Sequence, residues 1–212
     1  MTALPRAMAG AALGLAAFAL ITAGSVAVTR ALTAERIADN RRASETRVVA
    51  EVAPPGHAGD LLDQALTRPA APLLGHDGPF TLWPARADDE ILGVVVPLAT
   101  DDGYSGRIEL VMGLDTEGRI TGVRVTEHRE TPGLGDRIEA RKSDWITRFT
   151  GHSLADPPDG GWAVSRDGGG IDALTGATIT SRAVVGAVRD ALRWFDAERG
   201  ALLEAIDTGE TP

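Results

Sequence analysis

The residues with the clearest chemical potential are Asp172-Ala173-Leu174-Thr175-Gly176-Ala177-Thr178, continued by Ile179-Thr180-Ser181. Four hydroxyls (Thr175, Thr178, Thr180 and Ser181) fall within seven positions, and Gly168, Gly169 and Gly170 lead into them. Small residues in the middle let a bulky group come close to the main chain. Val184, Val188, Ala191, Leu192 and Phe195 then recur at helical spacing. The stretch therefore opens onto a helix N-terminus, where unpaired N–H groups and the positive dipole end favour a phosphate. Such a turn is equally the ordinary start of a helix, with Thr180 or Ser181 as the capping side chain.

Composition removes several other chemistries. There is no cysteine, which excludes disulfides, thiolate nucleophiles, zinc–cysteine sites and cysteine-ligated iron–sulfur clusters. His57, His76, His128 and His152 are scattered, with no pair at metal-ligand spacing. A formal net charge of -9 argues against nucleic acid as a partner. Glu127 and His128 are neighbours on a predicted strand and point to opposite faces, so they make no acid/base pair for a small substrate.

The elements that must position the loop follow from hydropathy and punctuation. Ala7 to Thr29 carries no charge. It is about 23 residues, or roughly 34 Å as a helix, enough to cross a hydrocarbon layer. Ser25-Val26-Ala27 could serve as a signal-peptide cleavage site, but the apolar run is longer than a usual signal core, which favours an uncleaved anchor. Arg30, Arg36, Arg41 and Arg42 follow the span and only Arg6 precedes it, so charge does not support export of the C-terminal part. Helical spacing continues to Val52 and stops at Ala53-Pro54-Pro55-Gly56. Leu61, Leu62 and Leu66 predict a short amphipathic helix ended by Pro69, and Pro69 to Pro84 reads as loop.

Strand signals begin at Glu90. Ile91–Leu98 is β-branched and apolar, whereas Arg107–Leu114 and Arg119–His128 alternate polar and apolar. Turns at Gly103-Tyr104-Ser105-Gly106 and Asp115-Thr116-Glu117-Gly118 make these antiparallel neighbours. The fold class is α+β: an N-terminal transmembrane helix, then an antiparallel sheet with flanking helices. Trp145 and Phe149 read as a core pair on a short helix, and Trp162-Ala163-Val164 as a brief strand. The expected organisation is an anchor over 1–30, a helical or irregular connection over 31–88, a binding domain over 89–200 and a flexible tail over 201–212.

Two motifs carry a resemblance. Asp172-x-x-Thr175-Gly176-Ala177-Thr178 is similar to the flavinylation motif of the FMN-binding domain family, and Glu130-Thr131-Pro132-Gly133-Leu134-Gly135 is similar to a second signature of that family, in the same order. With the N-terminal anchor and Gly103-Tyr104-Ser105-Gly106, the resemblance extends along nearly the whole chain to the RnfG family, the G subunits of Rnf ion-translocating electron-transport complexes. The C subunit of the sodium-translocating NADH:quinone reductase is the relative and the alternative, and a cofactor-free membrane-anchored sensor or assembly protein is the reading from another class.

The resemblance implies one covalent FMN, joined through a phosphoester to Thr178 by a flavin transferase. Thr175, Gly176 and Ala177 fill its small-residue positions, and Asp172 is a recognition residue for the transferase. Glu130, Thr131, Leu134 and Gly135 lie against the flavin. It further implies a single-pass protein of the bacterial inner membrane with its flavin domain on the periplasmic side. Such a protein relays electrons between NADH and ferredoxin with membrane and peripheral partner subunits while ions cross, acting as an enzyme only within that translocase.

Overall fold

A computed structural model describes residues 3–88 and 90–208. The chain divides into two compact units, Met1–Glu45 and Thr46–Pro212. The first unit is helical throughout its described residues and belongs to α1 (Ala3–Val52). Within it, Met8–Ala34 is long and apolar enough to cross a membrane, by length and composition.

The second unit is built on a five-stranded antiparallel sheet in simple sequential order: β1 (Leu66–Arg68), β2 (Phe80–Ala87), β3 (Glu90–Gly103), β4 (Gly106–Asp115) and β5 (Ile120–Glu127). Alternation sends side chains to two different cores. Val94, Val96, Leu98, Leu110, Met112 and Leu114 face the larger one, which is closed by α2 (Thr178–Thr208). Val95 and Val111 face the other way, onto Val49, Val52 and Ala53 at the end of α1. Both faces are thus covered at the centre, which explains the unbroken apolar run of β3.

The end of α1 is seated closely. Gly113 and Gly122 pair across β4 and β5, and a side chain on Gly113 would collide with the Val52 carbonyl. Thr121 Oγ1 donates to that same carbonyl oxygen.

Several expectations change. The Leu61 region is a single short turn over Leu61–Gln64, and Leu66 enters strand β1 instead of continuing a helix. Pro84, taken as the end of a loop, lies inside β2. It is tolerated because β1 pairs only with Phe80–Leu82, so β2 is an edge at Pro84 and needs no N–H on that side. The connection expected over 31–88 therefore supplies two strands of the sheet. Trp162–Val164 forms no strand, only a bridge from Val164 to Ile171. The flexible tail expected from 201 is helix up to Thr208, because Leu202 and Ile206 are buried in the main core; residues 209–212 lie outside the described residues. Trp145 and Phe149 do pack edge to face at 5.4 Å inside that core.

Candidate functional site

The predicted loop reaches its helix earlier than the capping residues suggest. Helix α2 starts at Thr178, and its first intrahelical bond runs from Ser181 N–H to Ala177 O at 3.0 Å. The N–H groups of Thr178, Ile179 and Thr180 therefore have no intrahelical acceptor. Neither Thr180 nor Ser181 is the cap. Ser181 Oγ donates to Ala177 O and accepts from Leu174 N–H, each at 2.9 Å. Thr180 donates to the Glu130 carboxylate. Both are fully buried, whereas Thr178 is half-buried and Thr175 exposed. Of the four hydroxyls, only those two can meet an incoming group.

Glu130 ties together segments far apart in sequence. It is buried, with one carboxylate oxygen accepting from Thr180 and the other from Ser105 N–H at 2.9 Å. Ser105 sits in the two-residue turn between β3 and β4. The Thr131–Gly135 loop then folds over: Leu134 N–H and Gly135 N–H both donate to Thr131 O, at 3.2 and 3.0 Å. Gly135 lies so close that a Cβ there would come within 2.9 Å of Glu130 and 3.1 Å of Thr180 Oγ1. Leu134 reaches Gly176, whose φ of 82° is the left-handed region that favours glycine; a Cβ there would meet Leu134 Cδ2 at 3.0 Å. The two motifs and the Tyr104-Ser105 turn are one site. Tyr104, Leu134 and Ile179, one from each segment, are among the exposed large apolar side chains.

A polar network supports this loop from below. Glu130 N–H donates to His128 Nδ1 at 3.0 Å, and His128 Nε2 lies 3.1 Å from Glu139 Oε1. Burial pushes the Glu139 pKa up, but hydrogen bonds from Arg141, Lys142 and His128 outweigh it and hold the carboxyl down at about 2. Lys142 also bonds Asp136 Oδ2 at 2.8 Å and holds that carboxyl below its ordinary value. Asp136 Oδ1 is buried without a hydrogen-bond partner.

Asp172 stands at the rim. Its side chain is exposed, accepts from Ser165 Oγ at 2.8 Å and pairs with Arg148 at 3.4 Å, while its carbonyl takes the Trp145 indole N–H at 2.6 Å. Thr131 is exposed at the loop's outer side. Sequence reasoning missed the parts played by Ser105 and His128. The available signal for His128 was its place two residues before Glu130, a spacing at which a short polar side chain reaches the main-chain N–H ahead of it. Among the described residues no group of side chains could hold a metal ion.

The residues fit an FMN. The cradle between Gly176 and Leu134 would be filled by a Cβ, the start of α2 suits a phosphate, and exposed apolar side chains flank it for a flat ring. The class of protein agrees with this geometry: residues 103–193 match the model of the FMN-binding domain, and residues 1–52 match that of the RnfG N-terminal region. The G subunit of the ion-translocating oxidoreductase complex of Pseudomonas aeruginosa is 47% identical over 199 residues, covering 93% of each chain. Its counterpart in Cronobacter sakazakii is 43% identical over 198 residues, covering 93% of this chain and 95% of that one. A crystal structure of NqrC from Shewanella oneidensis is 21% identical, covers 74% of each chain and superposes with a TM-score of 0.49. The chain belongs to the RnfG family, the G subunits of ion-translocating oxidoreductase complexes.

Proposed function

We propose that this chain is the flavoprotein subunit of an ion-translocating oxidoreductase complex and relays electrons through one FMN esterified to Thr178. Family membership supports the complex and the FMN. The observation that carries the attachment point is the partition of hydroxyls: Thr180 and Ser181 are buried and bonded, leaving Thr178 as the half-buried hydroxyl at the first position of α2. Thr175 is exposed one position before Gly176, off the helix.

The flavin supplies one-electron and two-electron redox chemistry when bound. The chain's own residues do the rest. The N–H groups opening α2 stabilise the charge kept by a phosphodiester. Leu134 offers an apolar surface beside Gly176, and Thr131 offers a polar edge. Glu130 is committed to Ser105 and Thr180, so it holds the cradle together and leaves direct contact to its neighbours. Asp172 is the recognition residue for a modifying transferase, a role its exposure supports. The span Met8–Ala34 anchors the protein in the bacterial inner membrane beside its partner subunits, with the flavin domain on the periplasmic side and NADH and ferredoxin as the ends of the electron path.

Peptide mass spectrometry on protein made in its own host tests the attachment. A peptide containing Thr178 should carry one FMN, and Thr178→Val should carry none. An unmodified native peptide in a host with the transferase removes the assignment. Protease added to intact spheroplasts tests the sidedness: digestion of the flavin domain is expected, and protection overturns it.

A further inference from the structure

We infer that His128 is a positioning residue of the flavin loop, held in its Nε2–H tautomer so that Nδ1 clamps the Glu130 main chain. The tautomer follows from the donors around the ring. A main-chain N–H can only donate, and Glu130 N–H points at Nδ1 from 3.0 Å. Nδ1 must present a lone pair, so the ring proton sits on Nε2 and is donated to Glu139 Oε1 at 3.1 Å. Glu139 stays ionised across the working range, because Arg141 and Lys142 bond it as well.

The clamp acts on the flavin cradle through one residue. Fixing the Glu130 main chain aims its carboxylate at Ser105 N–H and Thr180 Oγ1, and Thr180 lies two positions after Thr178 on α2. Gly135, packed on Glu130, carries the restraint to Leu134. A second proton on His128 would occupy Nδ1 and set two donors against each other, releasing the Glu130 N–H. The charged groups around the imidazole are Glu139 directly, Arg141 and Lys142 on the same carboxylate, Asp136 beyond Lys142, and Glu127 and Arg129 beside it in the chain. The side chain is 13% exposed and that of Glu139 is 15%, so a proton can reach the pair from solvent. The geometry thus couples the shape of the cradle to the protonation of this ring.

This inference rests on FMN being held at Thr178, and the experiment separates the two. Full-length protein in detergent, made with the transferase, is first weighed for FMN on the Thr178 peptide; absence there defeats the function reading alone. Nitrogen-15 spectra of labelled histidine then read the His128 ring with or without flavin. A proton on Nε2 and a bare Nδ1 at neutral pH are expected, and a protonated Nδ1 overturns the inference. The oxidised flavin spectrum is next followed with pH. The wild type should show a step that coincides with the second protonation of His128. His128→Asn keeps an acceptor for the Glu130 N–H but takes no second proton, so it should load flavin and lose the step. His128→Leu has no acceptor, and its flavin spectrum should be displaced at every pH. A step that persists in His128→Asn, or a wild-type spectrum without one, overturns the inference.

Discussion

Glu130 and Thr180 stand fifty residues apart and share a buried hydrogen bond, the hydroxyl donating to the carboxylate. Because the other carboxylate oxygen takes Ser105 N–H, one side chain closes the cradle on two sides. Removing it leaves the buried Thr180 hydroxyl without its partner and frees the Ser105 N–H in the exposed turn. Glu130→Ala should cost about 3 kcal/mol of stability, at the upper end for hydrogen bonds to a charged group. Glu130→Gln should cost less, since its amide can donate to Thr180 Oγ1 while its oxygen accepts from Ser105. Denaturant midpoints of the two variants check the order, and equal midpoints would contradict it.

Gly176→Ala combines a positive φ with a 3.0 Å approach to Leu134 Cδ2. The backbone term alone is about 1–2 kcal/mol. We expect the fold to survive and FMN loading on Thr178 to fall, because Leu134 must move out of the cradle. Flavin absorbance per mole of purified protein measures it, and full loading would place Leu134 elsewhere.

Acid should act first on the loop's support. The Glu139 carboxyl is held at about 2 against an ordinary 4.5. A lowered folded pKa means the unfolded chain binds the proton more readily, so this stabilisation is complete above about pH 4.5 and is lost as pH falls toward 2. Asp136, also lowered, adds a loss of the same sign. Unfolding midpoints measured down this range should fall steeply in the wild type and less steeply in Glu139→Gln. Parallel slopes would remove Glu139 from the account.

Gly113→Ala tests the seat of α1. The added methyl meets the Val52 carbonyl, a main-chain atom with little room to shift. Overpacking of this kind typically costs about 1–3 kcal/mol, and the rigid partner puts this case at the upper end. Thermal unfolding of the variant reads it; an unchanged midpoint would show that Val52 can leave without loss.

The sequence carried the three hairpin strands well because alternation and glycine turns agree there, as at Tyr104-Ser105. It lost β2 because Pro84 is a loop signal unless the missing neighbour on one edge is known, and that neighbour is the three-residue β1. It placed the cap at Thr180 or Ser181 because hydroxyls at a helix start usually cap. Here both turn inward, one to Glu130 and one to Ala177 O. The motif residues Thr178, Gly176, Leu134 and Glu130 were legible as candidates, whereas their convergence was not. Local spacing holds no information on a bond spanning fifty residues. His128 was set aside by a face argument that weighed only its neighbour Glu127, whereas its partners are the Glu130 main-chain N–H and the Glu139 carboxylate.

The seat of Val52 also decides where this chain can be trimmed. The proline break after Ala53 is the obvious place to cut in the sequence, yet Val49, Val52 and Ala53 form the lid over Val95 and Val111. A version begun just past the break would bare that apolar face and empty the notch at Gly113 and Gly122. A version begun between Ala34 and Thr46 sheds the membrane-crossing stretch and keeps the lid. Helix α1 thus serves two ends: Met8–Ala34 has the length and composition of a membrane span, and Val49 and Val52 complete the second core of the sheet.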